Sequence, residues 1–269
     1  MVIRPLTIPT YVRVHQEEAQ WFLNNVHSIR ENILRISSEN PEVTIVVPAF
    51  NEEDSILRCL SSLSKTITSR KIEILVVNNN SSDRTQEFIE KSGAKFVIEY
   101  KQGVKHARNA GLAFAKGKII LNADADSVYS PYWVDLLSAP LEDTNVSCSF
   151  GSFAFLPDRQ TFRLSYFLYE TAGDIYKQVN QIGKDSAMYV YGCSSAFRKD
   201  QGVDVGCYEH PEGANEDGYL ALKLRNKFGK LHHVNDSRSL VWTSDRRLRE
   251  KGGLLQSFMS RMSQIFKKL

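Results

Sequence analysis

Asp124 and Asp126 stand one residue apart at the end of the apolar run "IILNADADS", residues 119–127. In an extended chain residues i and i+2 project to the same side, so both carboxylates can face one hard divalent cation without a special turn. An ion held this way keeps open coordination positions, which suits a diphosphate. The competing assignment is a helix N-cap cluster or a solvated turn, both of which also favour Asp. Other chemistries lack their residues. Cys59, Cys148, Cys193 and Cys207 are scattered, with no CxxC pair and no His at zinc spacing, and no GxGxxG follows an apolar run. Neither a zinc centre nor a dehydrogenase is expected. Lys plus Arg number 34 against 31 Asp plus Glu, a net charge of +3 that is too even for nucleic acid to be the main partner.

The elements that must position the acidic pair are legible in the hydrophobic pattern. A chain of 269 residues with 42% hydrophobic content supplies a sizeable core. The runs "VTIVV" (43–47), "IEILVV" (72–77), "KFVI" (95–98) and "KIILNA" (118–123) alternate with helical stretches, which predicts an α/β fold with a mainly parallel sheet covered on both faces. Asn51 is placed to cap the first intervening helix and Ser82 the second, which stops at Gly93, while a third runs from about Val104 to Ala115. A further helix is predicted over 15–37, with Trp21, Phe22, Val26, Ile29, Ile33 and Leu34 as its apolar positions. Beyond residue 140 come a β-rich stretch, a long helix over about 160–181, short strands around Tyr189 and Ala196, a helix after Glu216, and strands near Leu231 and Leu240. In open α/β sheets ligands bind beyond the carboxyl ends of the strands. "PAFNEED", "NNNSSDRT" and "DADS" are the turns there, so these three loops should share one cleft.

With those elements in place, "VTIVVPAFNEED", "IEILVVNNNSSDRT", "GVKHARNAGLAFAKGKIILNADADS" and "ANEDGYLALKL" resemble, in order and spacing, the motifs of family-2 glycosyltransferases of the GT-A fold, over roughly residues 42–228. The resemblance implies a Rossmann-like nucleotide-diphospho-sugar transferase: a metal-dependent, inverting enzyme that moves a sugar from a UDP- or GDP-linked donor to an acceptor hydroxyl, with polysaccharide, glycolipid or cell-envelope glycan synthesis as the expected setting. It assigns Pro48, Ala49, Asn51 and Glu52 to the nucleoside pocket, Asp83 to the acid that follows the family's "DDGSxD" turn, and Mn²⁺ or Mg²⁺ to Asp124 and Asp126 with Ala125 between them. Asn78, Asn79 and Asn80 depart from the aspartates common at that turn; an amide donates as well as accepts, so the nucleobase contact is open. Arg108 of "HARNAG" resembles the family's arginine near the phosphates, with Lys105 one turn earlier, and a solvated helix face is the alternative. Asp217 is assigned the base, with Glu216 beside it, although carboxylates in a first helical turn also serve capping. Arg246 and Arg247 of "VWTSDRRLREKGG" resemble residues that reach the diphosphate or order a closing loop. His210, His232 and His233 are the candidates for a third metal ligand.

The acceptor half is less informative. Gly192 and Ser194 in "GCSSAFRK" resemble a small-residue strand that leaves room under the donor sugar; Tyr166, Tyr169, Tyr176, Tyr189 and Tyr191 stack on sugars or fill core. The tail "GLLQSFMSRMSQIFKKL" (253–269) places Leu254, Leu255, Phe258, Met262, Ile265, Phe266 and Leu269 on one helical stripe beside Arg261, Lys267 and Lys268. Such a tail docks on an anionic membrane bearing a lipid-linked acceptor, on its own domain, or on a second subunit to form a homodimer. The expected division is a helical extension over 1–40, a transferase domain over 41–245 split at 127/128 into donor and acceptor halves, and a basic tail over 246–269. Pro5 and Pro9 interrupt the N-terminal apolar residues and no window holds eighteen consecutive apolar residues. Reduced thiols in the cytoplasm, at the membrane face where the tail binds, are expected. Two rivals remain: a nucleotidyltransferase, which needs a glycine- and lysine-rich first loop where this chain has the acidic "NEED", and a non-catalytic nucleotide-sugar-binding or scaffold protein on the same fold.

Overall fold

The computed structural model describes residues 4–157, 161–180, 186–250, 252–254 and 256. The four apolar runs form β1 (Val43–Ala49), β2 (Ile72–Asn78), β3 (Lys95–Ile98) and β4 (Ile119–Asn122). β1 pairs in parallel with β2 and β4, and β2 with β3. The chain continues through β5 (Ser127–Val128), β6 (Val146–Phe150), β7 (Phe153–Phe155), β8 (Ser195–Arg198), β9 (Lys230–His233) and β10 (Val241–Thr243). A seven-stranded sheet runs β3-β2-β1-β4-β8-β6-β9, in which β8 is antiparallel to both neighbours. A three-stranded sheet, β5-β10-β7, starts immediately after the acidic pair.

The helices are α1 (Thr10–Arg13), α2 (Ala19–Asn24), α3 (Val26–Ile36), α4 (Ile56–Leu63), α5 (Thr85–Ser92), α6 (Val104–Phe114), α7 (Trp133–Ser138), α8 (Arg163–Asn180), α9 (Lys199–Asp204), α10 (Glu216–Phe228) and α11 (Arg246–Glu250). Alternate residues of a strand face opposite sides, so β1 and β2 feed two cores. Ile45, Val47, Ile74 and Val76 pack with Ile33, Leu60 and Ile89 of α3 to α5, while Val46, Leu75 and Val77 pack with Leu112 of α6 and Leu220 of α10. Near-continuous burial of β1 and β2 is what a strand covered on both faces requires. Gly111 brings α6 onto β1: a Cβ there would lie 2.3 Å from Val46 Cγ1.

Several local expectations are corrected. The helix predicted over 15–37 is two helices broken at Asn25, whose side chain donates to Trp21 O at 2.8 Å and competes with the backbone ladder. Phe22, Val26, Ile29 and Ile33 are buried as read, but Trp21 and Leu34 are exposed. Asn51 and Ser82 cap neither helix. Asn51 takes a left-handed φ of 53° and its Oδ1 accepts from Ser82 N at 2.9 Å, tying the first loop to the second. Asp83 instead accepts from Thr85 N at 2.9 Å where α5 begins. Gly93, at φ 74°, ends α5 as predicted. Tyr189 closes a 3₁₀ turn, not a strand: Ala187 and Val190 are both buried three residues apart, which that turn allows and strict alternation does not.

Candidate active site

The parallel arrangement puts the carboxyl ends of β1, β2 and β4 at one edge of the sheet, and the three loops do meet there. Pro48, Ala49 and Glu52 from the first, Asn79 from the second, and Asp124, Ala125 and Asp126 from the third line a cavity of 330 Å³, closed by Arg246. Phe50, Gln102, Gly103 and Val104 also line it. Sequence reasoning gave these four no role; Phe50 lies in the first loop, "PAFNEED", and Gly103 and Val104 open the "GVKHARNAG" motif, which was the available signal.

The turn holding the acidic pair is anchored from below. Tyr129, fully buried, accepts from Asp124 N through its hydroxyl at 2.7 Å and reaches Cys193 O at 3.3 Å, while Cys59 Sγ lies 3.5 Å from Asp124 O. Burial pushes the Tyr129 hydroxyl and the Cys59 and Cys193 thiols well up, so all three stay neutral beneath the aspartates. Asp126 Oδ1 accepts from Thr243 Oγ1 at 3.3 Å, and Ser127 Oγ lies at the same distance from it.

Arg108 sits in the middle of α6 with only 2% of its surface exposed. Its Nη2 donates to Asp124 Oδ1 at 3.0 Å and its Nε lies 3.3 Å from Asp217 Oδ1. One guanidinium thus joins an aspartate of the acidic pair to the aspartate of the later "ED". Burial alone would lower the Arg108 pKa, but the Asp217 and Asp124 charges outweigh it and the net shift is upward, so the cation is permanent. Gly192 makes the approach sterically feasible: a Cβ there would lie 2.1 Å from Arg108 Nη2 and 2.2 Å from Asp217 Oδ2. The room expected beside Gly192 is therefore taken by these two side chains. Ser194 likewise is buried and accepts from Trp133 Nε1 at 3.1 Å. Asp217 stands in the first turn of α10, where Asn215 is the N-cap and accepts from Asp217 N at 3.0 Å. Glu216 precedes it in the same turn.

The asparagine run braces the cavity wall. Asn79 Nδ2 donates to Glu99 O at 3.0 Å and Lys101 O at 2.8 Å, and its Oδ1 accepts from Gly103 N at 2.8 Å. Asn78 donates to Gln86 Oε1 at 2.7 Å, and Asn80 holds a left-handed φ of 59°. Burial would raise the Asp83 pKa, but bonds from the Thr85 hydroxyl and from the Thr85 and Glu53 amides outweigh it and hold the carboxyl below its usual range. Arg246 pairs with both oxygens of Glu52 across the cavity mouth. That hydrogen bonding raises the Arg246 pKa against the opposing effect of burial. Lys105 lies outside the cavity lining and pairs with Glu209 at 3.0 Å. The backbone of Arg247 belongs to α11, while Lys251, Leu255 and residues 257–269, the greater part of the tail, lie outside the described residues.

Arg58 was missed. It is the sole charged residue of α4, a signal the sequence did carry. Burial lowers its pKa and Asp126 is the carboxylate that opposes this most strongly, while its Nε has no hydrogen-bond partner among the described residues.

Two carboxylates on one turn are a hard oxygen donor set that fits Mg²⁺ or Mn²⁺ held jointly with substrate phosphates, which typically complete such a shell with water. No group of three or more His, Cys, Asp or Glu able to hold a metal occurs among the described residues. His210, His232 and His233 therefore do not join the pair; His210 bonds Pro211 O, and His233 stacks on Phe150.

Comparison with known proteins follows the same lines. Glycosyltransferase AglE of Haloferax volcanii is 28% identical over 127 residues, 45% of this chain and 42% of that protein. The UDP-Glc:alpha-D-GlcNAc-diphosphoundecaprenol beta-1,3-glucosyltransferase WfgD of Escherichia coli is 29% identical over 118 residues, 42% of this chain and 46% of that one. The chain thus spans less than half the length of these curated relatives. Among solved structures, the mannosyltransferase PcManGT of Pyrobaculum calidifontis in complex with GDP-Man and Mn²⁺ matches with a TM-score of 0.59 at 18% identity, covering 94% of this chain and 74% of that one. Glucosyl-3-phosphoglycerate synthase of Mycobacterium tuberculosis, in complex with Mn²⁺, UDP-glucose and phosphoglyceric acid, matches at 0.56 and 17% identity over 88% and 81% of the two chains. At such identities the likeness shows the fold, GT-A, alone. Membership rests on the sequence profile described as glycosyl transferase family 2: it matches residues 44–203, more than half of the chain, from the second residue of β1 through the acidic pair to α9, and the chain belongs to that family.

Proposed function

We propose that this chain transfers a glycosyl group from a nucleotide-diphosphate sugar to an acceptor hydroxyl with inversion at the anomeric carbon. The observation that carries the reading is the Asp124–Arg108–Asp217 chain, which ties the acidic pair lining the strand-end cavity to Asp217 at the start of α10, a buried carboxylate just outside the cavity lining. Asp124 and Asp126 would hold a divalent cation, which when bound supplies positive charge for the departing diphosphate. Arg246 adds a second cation at the same cavity once a diphosphate competes with Glu52 for it. Asp217 accepts the proton of the acceptor hydroxyl; the hydroxyl oxygen forms the new bond to the anomeric carbon as the bond to the diphosphate oxygen breaks. Arg108, shared between Asp124 and Asp217, holds the Asp217 carboxylate in place. The relatives whose names carry UDP-Glc or GDP-Man support the donor class without selecting the base.

The deciding measurement is titration calorimetry of UDP and GDP with and without Mn²⁺, on the wild type, Asp126→Ala and Asp217→Asn. Metal-dependent binding of one nucleotide is expected, lost in Asp126→Ala and kept in Asp217→Asn, which should lose turnover by about 10²-fold or more. A folded wild type that binds neither nucleotide overturns the donor reading and favours a scaffold.

A further inference from the structure

The three-stranded sheet carries a row of side chains that leads away from the acidic pair. Ser127, Thr243 and Phe155 are register partners across β5, β10 and β7, so they share one face, and Phe153 follows Phe155 on that face at i−2. Ser127 Oγ donates to Thr243 Oγ1 at 2.9 Å and Thr243 bonds Asp126, so the row begins at the acidic pair. Two strand spacings place Phe155 about 10 Å from Ser127. The row ends at Tyr191, whose ring meets Phe153 edge to face at 5.0 Å and which directly precedes Gly192, the residue against Asp217. Phe153, Phe155 and Tyr191 are half-buried, whereas Tyr166 and Tyr169 behind them are core.

The backbone that carries the rings is held firmly. Phe155 N donates to Glu170 Oε1 at 2.6 Å, and Glu170 is clamped by both ends of Arg163 at 3.0 and 2.7 Å with both side chains buried. Leu156 N bonds Thr243 O at 2.9 Å, fixing β7 to β10. An aromatic surface that starts at Asp126 and Thr243 and ends at Tyr191, one residue before the Gly192 that abuts Asp217, matches a ring with apolar faces and a hydroxyl-bearing edge. A long apolar chain would meet polar groups at both ends.

We propose that Phe153, Phe155 and Tyr191 form the acceptor subsite, a platform that stacks the apolar face of a pyranose and turns its hydroxyl edge toward Asp217. The proposal rests on the glycosyl-transfer reading for its direction, and saccharide binding tests it separately from the donor site.

The test is saturation-transfer-difference NMR on the full chain with methyl glucopyranoside, methyl mannopyranoside and methyl N-acetylglucosaminide as probes, and geranyl phosphate as the lipid control. At least one pyranoside should bind the wild type, about five-fold more weakly after Tyr191→Leu or Phe155→Leu and unchanged after Phe155→Tyr, since only the aromatic face is removed. Its addition should also shift the Tyr191 ring resonances of the wild type, a readout that needs no variant to fold. UDP and GDP titrations should be unaltered in the folded variants. Absence of pyranoside binding by the wild type, equal binding by the Leu variants, or aromatic-dependent binding of geranyl phosphate alone each overturns the proposal. Aromatic-dependent pyranoside binding by a protein that binds neither nucleotide would instead sink the donor reading and leave the platform standing.

Discussion

Asn79 shows how a residue reads differently once its partners are known. In the sequence it is a departure from an expected aspartate; in the fold its amide does what a carboxylate cannot, donating to two carbonyls while accepting from Gly103 N. Asn79→Asp should therefore lose two donors, set a negative charge against two carbonyl oxygens, and cost about 2 kcal/mol in urea unfolding. An unchanged midpoint would show that the wall stands without this brace. Arg108 teaches the same lesson: its type announced anion binding, and the tertiary structure supplied two carboxylates as the anions in contact with it.

At the scale of elements, the loops after β1 and β2 are stitched by Asp83, which accepts from Glu53 N in one and Thr85 N in the other. Its folded pKa is depressed, so its contribution to stability is fully present above the unfolded value of about 3.9 and is lost as pH falls through the lower folded value. Thermal unfolding of the wild type should accordingly drop across the window below pH 4, and Asp83→Asn should be less stable at pH 6 yet converge with the wild type in acid. Parallel melting curves for the two at every pH would remove Asp83 from that stitch. The strands were legible because long β-branched runs buried on both faces have few alternatives. Helix starts were not, because Asn51 and Ser82 are good caps in isolation and the loops recruited them for each other instead.

For the molecule as a whole, no helix among the described residues is long and apolar enough to cross a membrane. The tail beyond Gly253 carries the apolar stripe and basic residues of a surface-seeking helix, and we propose that it brings the chain to anionic membranes. Full-length protein should co-sediment with phosphatidylserine vesicles and lose that binding at high salt, while protein ending at Gly253 stays in solution. Equal sedimentation of the two would assign the stripe to a protein contact, on the same chain or a second copy.

The sequence alone determined the α/β alternation and the strand-end position of the loops after β1, β2 and β4, the acidic pair included, because these follow from local periodicity and short spacing. Tertiary structure decided what lies far apart in the chain. Asp124, Gly192 and Asp217 converge on Arg108, Glu52 on Arg246, and Phe155 on Thr243. Such pairings depend on which strands become neighbours and on how a missing Cβ lets two side chains enter one space, and neither is written in any single stretch of residues.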